Sequence, residues 1–381
     1  MIPELRKDFN SRFTPEKYRR FLAELDRRSG MHVEFRNSET PCFFPPGTLR
    51  EMADAGKELI LQITSNARYR IESDASIPAE YNVPNEDTRP LFIQVDFGLD
   101  ANLKPKLVEI QGFPSIYGYQ AILAESYIDA YELGGVRYLL TGADYWALLK
   151  RAIVGRHDPK NVILMEIEPE KQKTRPDFLI TEKYCGINTV SVTDVRKRGN
   201  RLYYGADIPI HRIYNRVIVD ELQRKNIRPG FDFRDDLDVE WAGHPNWYFR
   251  MSKFSIPFLR HESVPRTWFL RDLPEIPADP QNYVLKPLYS FAGLGVVVGP
   301  TREQIAAADP AQFILQERVD FAPIIATPFG PTKAEVRVMY IWLEELEAVT
   351  TVIRMGRGKM MGVDHNRDLE WVGASAALMP L

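Results

Sequence analysis

The feature that most limits the possible folds is a lysine followed by a glycine-containing loop between two apolar segments. In NYVLKPLYSFAGLGVVVGP a predicted strand contains Lys286, and a loop through Ser290, Gly293 and Gly295 leads to a second predicted strand. Glycines allow backbone amides to approach phosphate oxygens, and a nearby lysine supplies a positive charge for the same oxygens. The Gly-Lys-Ser/Thr ending of a Walker loop is missing. The pattern is compatible with a phosphate-binding hairpin, and a plain β-turn explains it equally well.

Two neighbouring segments extend this pattern. FILQERV predicts a strand ending near Gln316, Glu317 and Val319, where an extended backbone can hydrogen-bond the edge of an adenine ring. An ordinary strand end gives the same sequence. Upstream, WYFRMSKFSIPFL places Lys253 at the start of an apolar, helix-like segment. Two lysines and a glycine-containing flap together meet the needs of a triphosphate.

In this order, Lys253, VLKP, SFAGLGV, LQERV and EVRVMYI resemble the nucleotide-binding half of the ATP-grasp superfamily. The resemblance implies that Lys253 and Lys286 contact the phosphates of ATP. It also implies that residues 290–295 form a mobile flap and that residues 316–319 form the adenine hinge. ATP is therefore the expected cofactor.

An earlier pair of predicted strands carries acidic residues. VDFGLDANLKPKLVEIQG is typical of two strands joined by a turn, with Asp96 on the first and Glu109 and Gln111 on the second. Residues i and i+2 of a strand point to the same face, so Glu109 and Gln111 can converge beside Asp96. Mg²⁺ prefers oxygen ligands such as these. We predict a magnesium site here, and a charged hairpin with solvated acids is the alternative.

The position of this acidic element is similar to that in one particular family. An Asp followed by Glu-x-Asn resembles the metal-binding element of ATP-grasp ligases, but here it precedes the lysines. That order, together with HPNWYFRMSKFSIPFL, resembles the glutathionylspermidine synthetase family, in which the ATP-grasp fold is circularly permuted. The resemblance covers residues 90–120 and 240–320. Gln111 replaces the usual Asn, and Gln94 stands where that family places an Arg.

The resemblance implies an α+β fold, namely a circularly permuted ATP-grasp fold with a small α/β pre-ATP-grasp-like subdomain. A chain of 381 residues also exceeds the usual size of a single core. We expect N-terminal helices and the permuted metal-binding strands in residues 1–125. The pre-ATP-grasp-like subdomain is expected in residues 126–245, and the nucleotide-binding region in residues 246–381.

The C-terminal tail offers a rival set of metal ligands. Glu335, Asp364 and Asn366 would give the unpermuted order, but GVDHNRD is loop-like whereas KLVEIQG is a clear strand. We rank this trio second. The tail instead resembles the stretch just before the metal element in ordinary ATP-grasp ligases. That resemblance implies that Arg337, Arg354 and Asn366 face the phosphates, with Arg354 as the candidate to bind a substrate carboxylate bidentately.

Composition excludes several other classes of function. The 49 Lys and Arg residues against 52 Asp and Glu residues give a net charge of -3, which provides no electrostatic reason to bind nucleic acid or an anionic membrane. Cys42 and Cys185 are too few for a disulfide framework. The charged N-terminus lacks a secretory apolar core, and no segment is long enough to span a bilayer. We expect a cytoplasmic protein that acts on small molecules. The sequence does not determine its oligomeric state.

These features predict an ATP-dependent, magnesium-requiring ligase that joins a carboxylate to an amine, or to a thiol, through an acyl phosphate. Its substrates would be a small-molecule or peptide carboxylate and an amine, which the sequence does not identify. A kinase or phosphotransferase on the same fold is one alternative. A non-catalytic nucleotide-binding protein is another, and the Gln111 departure is the sequence feature that favours it.

Overall fold

A computed structural model of the chain describes residues 1–289, 294–358, 361–366 and 368–381, without the side chains of Asp220, Asp364 and His365. Within these ranges the α-helices are α1 (Pro3–Arg12), α2 (Pro15–Ser29), α3 (Pro46–Ser65), α4 (Ala67–Asp74), α5 (Tyr117–Ala130), α6 (Tyr145–Val154), α7 (Arg175–Cys185), α8 (Val219–Arg224), α9 (Trp247–Arg250) and α10 (Arg302–Ala307). The strands are β1 (Cys42–Phe43), β2 (Phe92–Leu99), β3 (Pro105–Gln111), β4 (Val136–Arg137), β5 (Val162–Glu166), β6 (Asn188–Ser191), β7 (Arg196–Arg198), β8 (Arg201–Tyr204), β9 (Ile208–Ile210), β10 (Arg212–Asn215), β11 (Glu240–Ala242), β12 (Thr267–Phe269), β13 (Tyr283–Pro287), β14 (Val297–Val298), β15 (Phe313–Glu317), β16 (Lys333–Trp342), β17 (Leu346–Gly356), β18 (Gly373–Ser375) and β19 (Ala377–Pro380).

The N-terminal helices follow from local sequence signals. The side chain of Thr14 accepts a hydrogen bond from the backbone N–H of Lys17 and so caps α2, whose first residue is a proline. Phe21 and Leu25, one turn apart, are buried. Helix α3 likewise begins directly after the Pro45 turn and buries one apolar face.

An antiparallel five-stranded sheet, in the order β18-β17-β16-β2-β3, joins the early hairpin to the late strands. One face is apolar and packs on α3; its residues include Ile93, Val95, Phe97, Val336, Val338 and Ile353. The opposite face is apolar only towards one end, where a second core contains Phe92, Met339, Ile341 and Val352. The other end of this face carries the charged residues described below.

A second antiparallel sheet, in the order β12-β15-β13-β14, contains the two strands predicted on either side of the glycine loop. Leu285 and Leu315 pack on one face with Ile305 of α10. Ile314 and Phe269 point the other way and join the core of the five-stranded sheet. Because side chains alternate along a strand, Lys286 and Gln316 lie on this inner face as well.

The middle of the chain forms a parallel sheet in the order β11-β10-β5-β6. Its two faces are covered by separate apolar cores, one formed with α6 and α7 and the other with β8 and β9. A parallel sheet is normally buried on both faces, as this one is. Its strands span residues 162–242, inside the region where the sequence predicts an α/β unit.

The sequence also suggests a mostly helical segment between residues 127 and 151 with a break at Gly134 and Gly135, and this interpretation is wrong in part. The first helix, α5, starts ten residues earlier, at Tyr117. Residues 131–144 are not helical, because Gly135 adopts a positive φ of 71° and β4 pairs with the C-terminal strand β19. This distant pairing overrides the local helical preference.

Two further expectations concern the cysteines and membrane insertion. Cys42 and Cys185 are both free and buried, and burial raises the pKa of each thiol to about 12, so neither is a reactive thiolate. In the described part of the chain, no helix combines the length and the apolar character required to cross a bilayer.

Candidate functional site

The candidate site is built on an irregularity in the early hairpin. Asp96 of β2 faces Glu109 of β3, but the next residue, Phe97, faces Leu107, so Val108 is an extra residue in the ladder. This bulge lets Leu107 and Ile110 both enter the apolar core although they are three residues apart. Glu109 and Gln111 then point to the same face as Asp96.

Asp96 is held by two arginines from the late strands. Arg337 of β16 is its cross-strand partner and donates through Nε to Oδ1 at 2.6 Å and through Nη2 to Oδ2 at 2.7 Å. Arg337 Nη1 also donates to Gln94 Oε1 at 2.8 Å. Arg354 of β17 donates to Asp96 Oδ2. The early hairpin and the late basic strands therefore meet in space, although Asp96 and Arg337 are 241 residues apart in sequence.

The buried charges control the ionisation of Asp96. Its side chain is only 2% exposed. Burial alone would raise the pKa of Asp96, but the charges of Arg337 and Arg354 outweigh burial and lower it. Asp96 therefore carries its negative charge at neutral pH. A carboxylate has about four acceptor positions, and the arginines fill three of those on Asp96, which leaves one on Oδ1.

A third carboxylate, Glu335, joins the cluster from β16. It faces Arg354 across the β16–β17 ladder and forms an ion pair with it. Burial raises the pKa of Glu335, and the charge of Arg354 offsets this effect only in part. Burial would lower the pKa of Arg354, but Glu335 and Asp96 outweigh burial and raise it. Arg354 Nε is nevertheless buried without a hydrogen-bond partner.

The two predicted phosphate lysines approach the same hairpin from outside the five-stranded sheet. Lys253 lies at the start of a short 3-10 helix, Lys253–Phe258, and donates to Glu109 Oε1 at 2.7 Å. Lys286 donates to the carbonyl oxygen of Val108 at 2.8 Å and to Gln316 Oε1 at 2.5 Å. Burial lowers the pKa of Lys286 to about 8, although the charge of Glu109 opposes this effect.

The predicted adenine hinge follows β15. Gln316 is buried, and its Nε2 has no hydrogen-bond partner. The backbone N–H of Glu317 donates to the carbonyl of Arg266 at 2.8 Å, and its carboxylate pairs with the Arg266 side chain at 3.1 Å. Val319 follows in the connecting loop, whose Phe321 ring occupies the space where Gly98 lacks a side chain. The structure places Gln316 in contact with Lys286, and the role of residues 316–319 as an adenine hinge stays a prediction.

The predicted flap is described only in part. Ser290 and Gly293 lie outside the described residues. Gly295 has a φ of 73°, which favours glycine, and an added Cβ would approach Pro287 to 3.0 Å. Gly295 thus sits against the strand that contains Lys286.

Asn366 has contacts of a different kind from those of the two arginines. Its Oδ1 accepts from the backbone N–H of Arg357 at 3.1 Å, and its Nδ2 donates to the carbonyl of Gly362 at 3.1 Å. These hydrogen bonds connect the two ends of the loop that follows β17. The predicted role of Asn366 at the phosphates stays a prediction, and so does the rival metal trio, because the side chain of Asp364 is not described.

Beside the hairpin lies a small cleft with a polar base and aromatic walls. Glu109, Gln111 and Lys253 form the polar part, and its walls include Phe113, Met251, Leu288, Tyr248 and Tyr289. The local sequence did not identify these aromatic residues as part of the site. Their signal is weak, since each one follows a predicted strand or lies in a helix where aromatic residues usually serve the core.

The oxygen atoms along this cleft fit a magnesium ion. Within the described residues, Glu109 Oε2 and the side-chain amide of Gln111 have no hydrogen-bond partner, and Glu109 Oε1 meets only Lys253. Asp96 keeps one free acceptor position on Oδ1. Carboxylate and amide oxygens are hard ligands of the type that Mg²⁺ prefers. No group of three or more His, Cys, Asp or Glu side chains in the described ranges is arranged as a ready metal site, so substrate oxygens would have to complete the coordination.

Comparison with known proteins relates the chain to a solved structure. No family model matches the chain, and no curated protein matches it in sequence. A solved structure does match, that of a glutathione synthetase-like effector from Globodera pallida in its apo form. The TM-score is 0.61 over 96% of this chain and 98% of the effector, with 11% sequence identity. The two chains share a fold. The predicted α+β class is confirmed, since the structure combines helices with several sheets, and at this identity the likeness to the effector extends no further than the fold.

Proposed function

We propose that this chain is an ATP-dependent carboxylate ligase with a circularly permuted ATP-grasp fold. In this arrangement the metal-binding hairpin, β2 and β3, precedes the nucleotide-binding strands in sequence and pairs with β16 in space. Residues 126–245 would supply the pre-ATP-grasp-like subdomain. The likeness to a glutathione synthetase-like effector extends over nearly the full length of the chain. It supports the activity of a ligase over that of an unrelated nucleotide-binding protein.

One observation carries the proposal most directly, namely an excess of donors between the two antiparallel sheets. Four basic side chains, Lys253, Lys286, Arg337 and Arg354, face the three carboxylates of Asp96, Glu109 and Glu335. Two further buried donors, Gln316 Nε2 and Arg354 Nε, have no partner. Buried polar groups are normally satisfied. A site with surplus positive charge and unpaired donors is suited to an anion such as a nucleotide phosphate.

Each residue has a task in the proposed reaction. The substrate carboxylate attacks the γ-phosphorus of ATP, ADP leaves, and the amine then attacks the acyl carbon and displaces phosphate. Lys253, Lys286 and Arg337 would offset the charge on the transferred phosphoryl group. Arg354 would orient the carboxylate. Glu109, Gln111 and the free position of Asp96 would hold Mg²⁺, which neutralises phosphate charge when bound.

The apolar walls of the cleft would protect the reaction. An acyl phosphate hydrolyses in water, so a ligase must keep bulk solvent away from it until the amine arrives. Phe113, Tyr248 and Tyr289 line the cleft around its polar base. An amine or thiol acceptor of small size would enter there, next to Glu109.

The ligase is expected to release ADP and phosphate only when ATP, Mg²⁺, an acid and an amine are all present. Hydroxylamine provides a practical substitute for an unknown amine, because it captures acyl phosphates as hydroxamates. Screening carboxylic acids for ATP-dependent hydroxamate formation therefore tests the intermediate directly. A phosphorylated product that accumulates without an amine would instead identify a kinase or phosphotransferase. ATP binding without turnover across the whole panel would identify a non-catalytic nucleotide-binding protein, the alternative that Gln111 favours.

ATP affinity is expected to fall as the pH rises through about 8, the pKa of the buried Lys286. The lysine is charged below that pH and loses its charge above it, so its attraction for phosphate is fully present on the acidic side. Calorimetric titration with ATP and Mg²⁺ at pH values on both sides of this point would show the decline. Lys286→Met is expected to bind ATP more weakly throughout and without this decline. An identical pH profile in that variant would contradict the role of Lys286.

A further inference from the structure

A second pocket, of about 310 Å³, lies beside helix α9. Its volume is at the lower end of the range for pockets that hold small molecules. Trp247 and Arg250 line it, and they share one face of the helix because they are three residues apart. Tyr248 and Met251, which are also three residues apart, line the cleft described above instead. The two pockets therefore lie on different faces of α9, and no described residue lines both.

The charge of Arg250 in this pocket is already matched inside the protein. Its Nη2 donates to Glu86 Oε2 at 2.9 Å and lies 2.6 Å from Asp74 Oδ1. Its Nη1 donates to Ser73 Oγ at 2.8 Å. This guanidinium group and the two carboxylates around it therefore need no ligand to neutralise them.

Three other groups that line the pocket are not matched in this way. Within the described part of the chain, the side chain of Arg70 forms no hydrogen bond or ion pair, and neither does that of Asp87. The walls of the pocket partly desolvate Asp87, and this raises its pKa. Nε1 of Trp247 is buried without a hydrogen-bond partner, and the residue is only 6% exposed. A buried donor of this kind is unfavourable until an acceptor completes it.

The three unmatched groups together define the chemistry of a ligand that would satisfy them. A carboxylate has two oxygens, so one can accept from Arg70 while the other accepts from Trp247 Nε1. An ammonium group can pair with Asp87. A small molecule that carries both groups is an α-amino acid. Ile63 and Ile71 also line the pocket, and Ile71 is 72% exposed, so apolar surface is available for the side chain of that amino acid.

We propose that this pocket binds a free α-amino acid with an apolar side chain, at a site separate from the cleft that contains Glu109. Arg70 and Trp247 hold its carboxylate, Asp87 holds its ammonium group, and Ile71 contacts its side chain. The site goes beyond the proposed function and does not depend on it, because no residue proposed to bind ATP or Mg²⁺ lines this pocket.

Calorimetry of the wild-type chain with L-leucine and two of its analogues tests the class of ligand. Isocaproate lacks the ammonium group of leucine, and isoamylamine lacks its carboxylate. Each analogue is expected to bind about tenfold to a hundredfold more weakly than leucine, the effect of losing hydrogen bonds to one charged group. Binding of either analogue as tightly as leucine would overturn the assignment to an amino acid. Absence of binding for leucine, valine and phenylalanine alike would overturn the site.

Variants of the chain test the individual contacts. Arg70→Met, at an exposed position of α4, is expected to bind leucine about tenfold to a hundredfold more weakly than the wild type. Arg68→Met makes the same change on the same helix but outside the pocket, and it is expected to bind leucine as the wild type does. Asp87→Asn is expected to bind leucine and isocaproate with similar affinity. Equal weakening by Arg68→Met and Arg70→Met would contradict the carboxylate contact.

Glu109→Ala separates this site from the cleft. Because Glu109 lines only the cleft, this variant is expected to keep the wild-type affinity for leucine. Loss of leucine binding in Glu109→Ala would place the amino acid in the cleft and overturn the second site. All of these titrations are made without nucleotide, so their outcome is independent of whether the chain binds ATP.

Discussion

Replacement of Glu109 by alanine is expected to reduce ATP turnover by about a hundredfold to a thousandfold, the range seen when a group that stabilises transition-state charge is removed. Glu109 Oε2 has no partner in the described structure, and Glu109 Oε1 positions Lys253. Its loss would remove a magnesium ligand and release a phosphate-binding lysine together. The rate of ADP release at saturating acid and amine is the measurement.

Two variants separate these contributions. Glu109→Gln keeps an acceptor for Lys253 but removes the charge, so we expect it to restore the position of the lysine without restoring the affinity for Mg²⁺. A higher Mg²⁺ requirement in Glu109→Gln would support a metal role. Asp364→Ala is expected to lose much less activity. If Asp364→Ala proved more harmful than Glu109→Ala, the unpermuted trio of Glu335, Asp364 and Asn366 would replace the hairpin as the metal site.

The parts of the fold that could be predicted from sequence are those with local causes. Thr14 and the following proline mark the start of α2, and the Pro45 turn marks the start of α3. The hairpin of β2 and β3 follows from two apolar segments around a polar turn. By contrast, the pairing of Arg337 with Asp96 has no local signal, because 241 residues separate them. Only the order of motifs, compared with a permuted family, indicated that the two segments meet.

The bulge at Val108 is neither a purely local feature nor one without any local signal. Regular alternation along KLVEIQG would place Leu107 on the same face as Glu109 and Gln111, and so expose an apolar residue beside the charges. Leu107 and Ile110 are both fully buried in one core, which a regular strand cannot achieve at a spacing of three residues. The mixture of apolar and charged residues on one predicted face therefore indicates a bulge, although the bulge was not among the predictions.

The side-chain partners within the cluster could not be predicted. The sequence suggested Asp96 as a metal ligand, but it gave no means to see that two arginines take three of its four acceptor positions. The sequence also suggested Glu335 as one ligand of a rival metal trio, and it gave no sign that the partner of Glu335 is Arg354. Electrostatic partners depend on which side chains share a face after pairing, and pairing is a tertiary property.

Asp96→Ala is expected to lower the free energy of unfolding by about 3–5 kcal/mol, the typical cost of removing one partner from a buried ion pair. Arg337, which is 8% exposed, would remain buried with only Gln94 as a partner, and Arg354 would keep only Glu335. Urea denaturation of the purified variant, followed by tryptophan fluorescence and by circular dichroism, measures the loss.

The double variant Asp96→Ala with Arg337→Met shows whether the loss arises from the unpaired charge. Removing both partners leaves no uncompensated guanidinium, and methionine fills the space beside the apolar end of the same sheet face, so the double variant is expected to recover most of the stability. Recovery would mean that Asp96 serves the fold mainly by neutralising Arg337. If the two losses simply added, the pairing of Asp96 with Arg337 would contribute little, and the contacts of Arg337 with Gln94 and of Arg354 with Glu335 would have to stabilise the buried cluster instead.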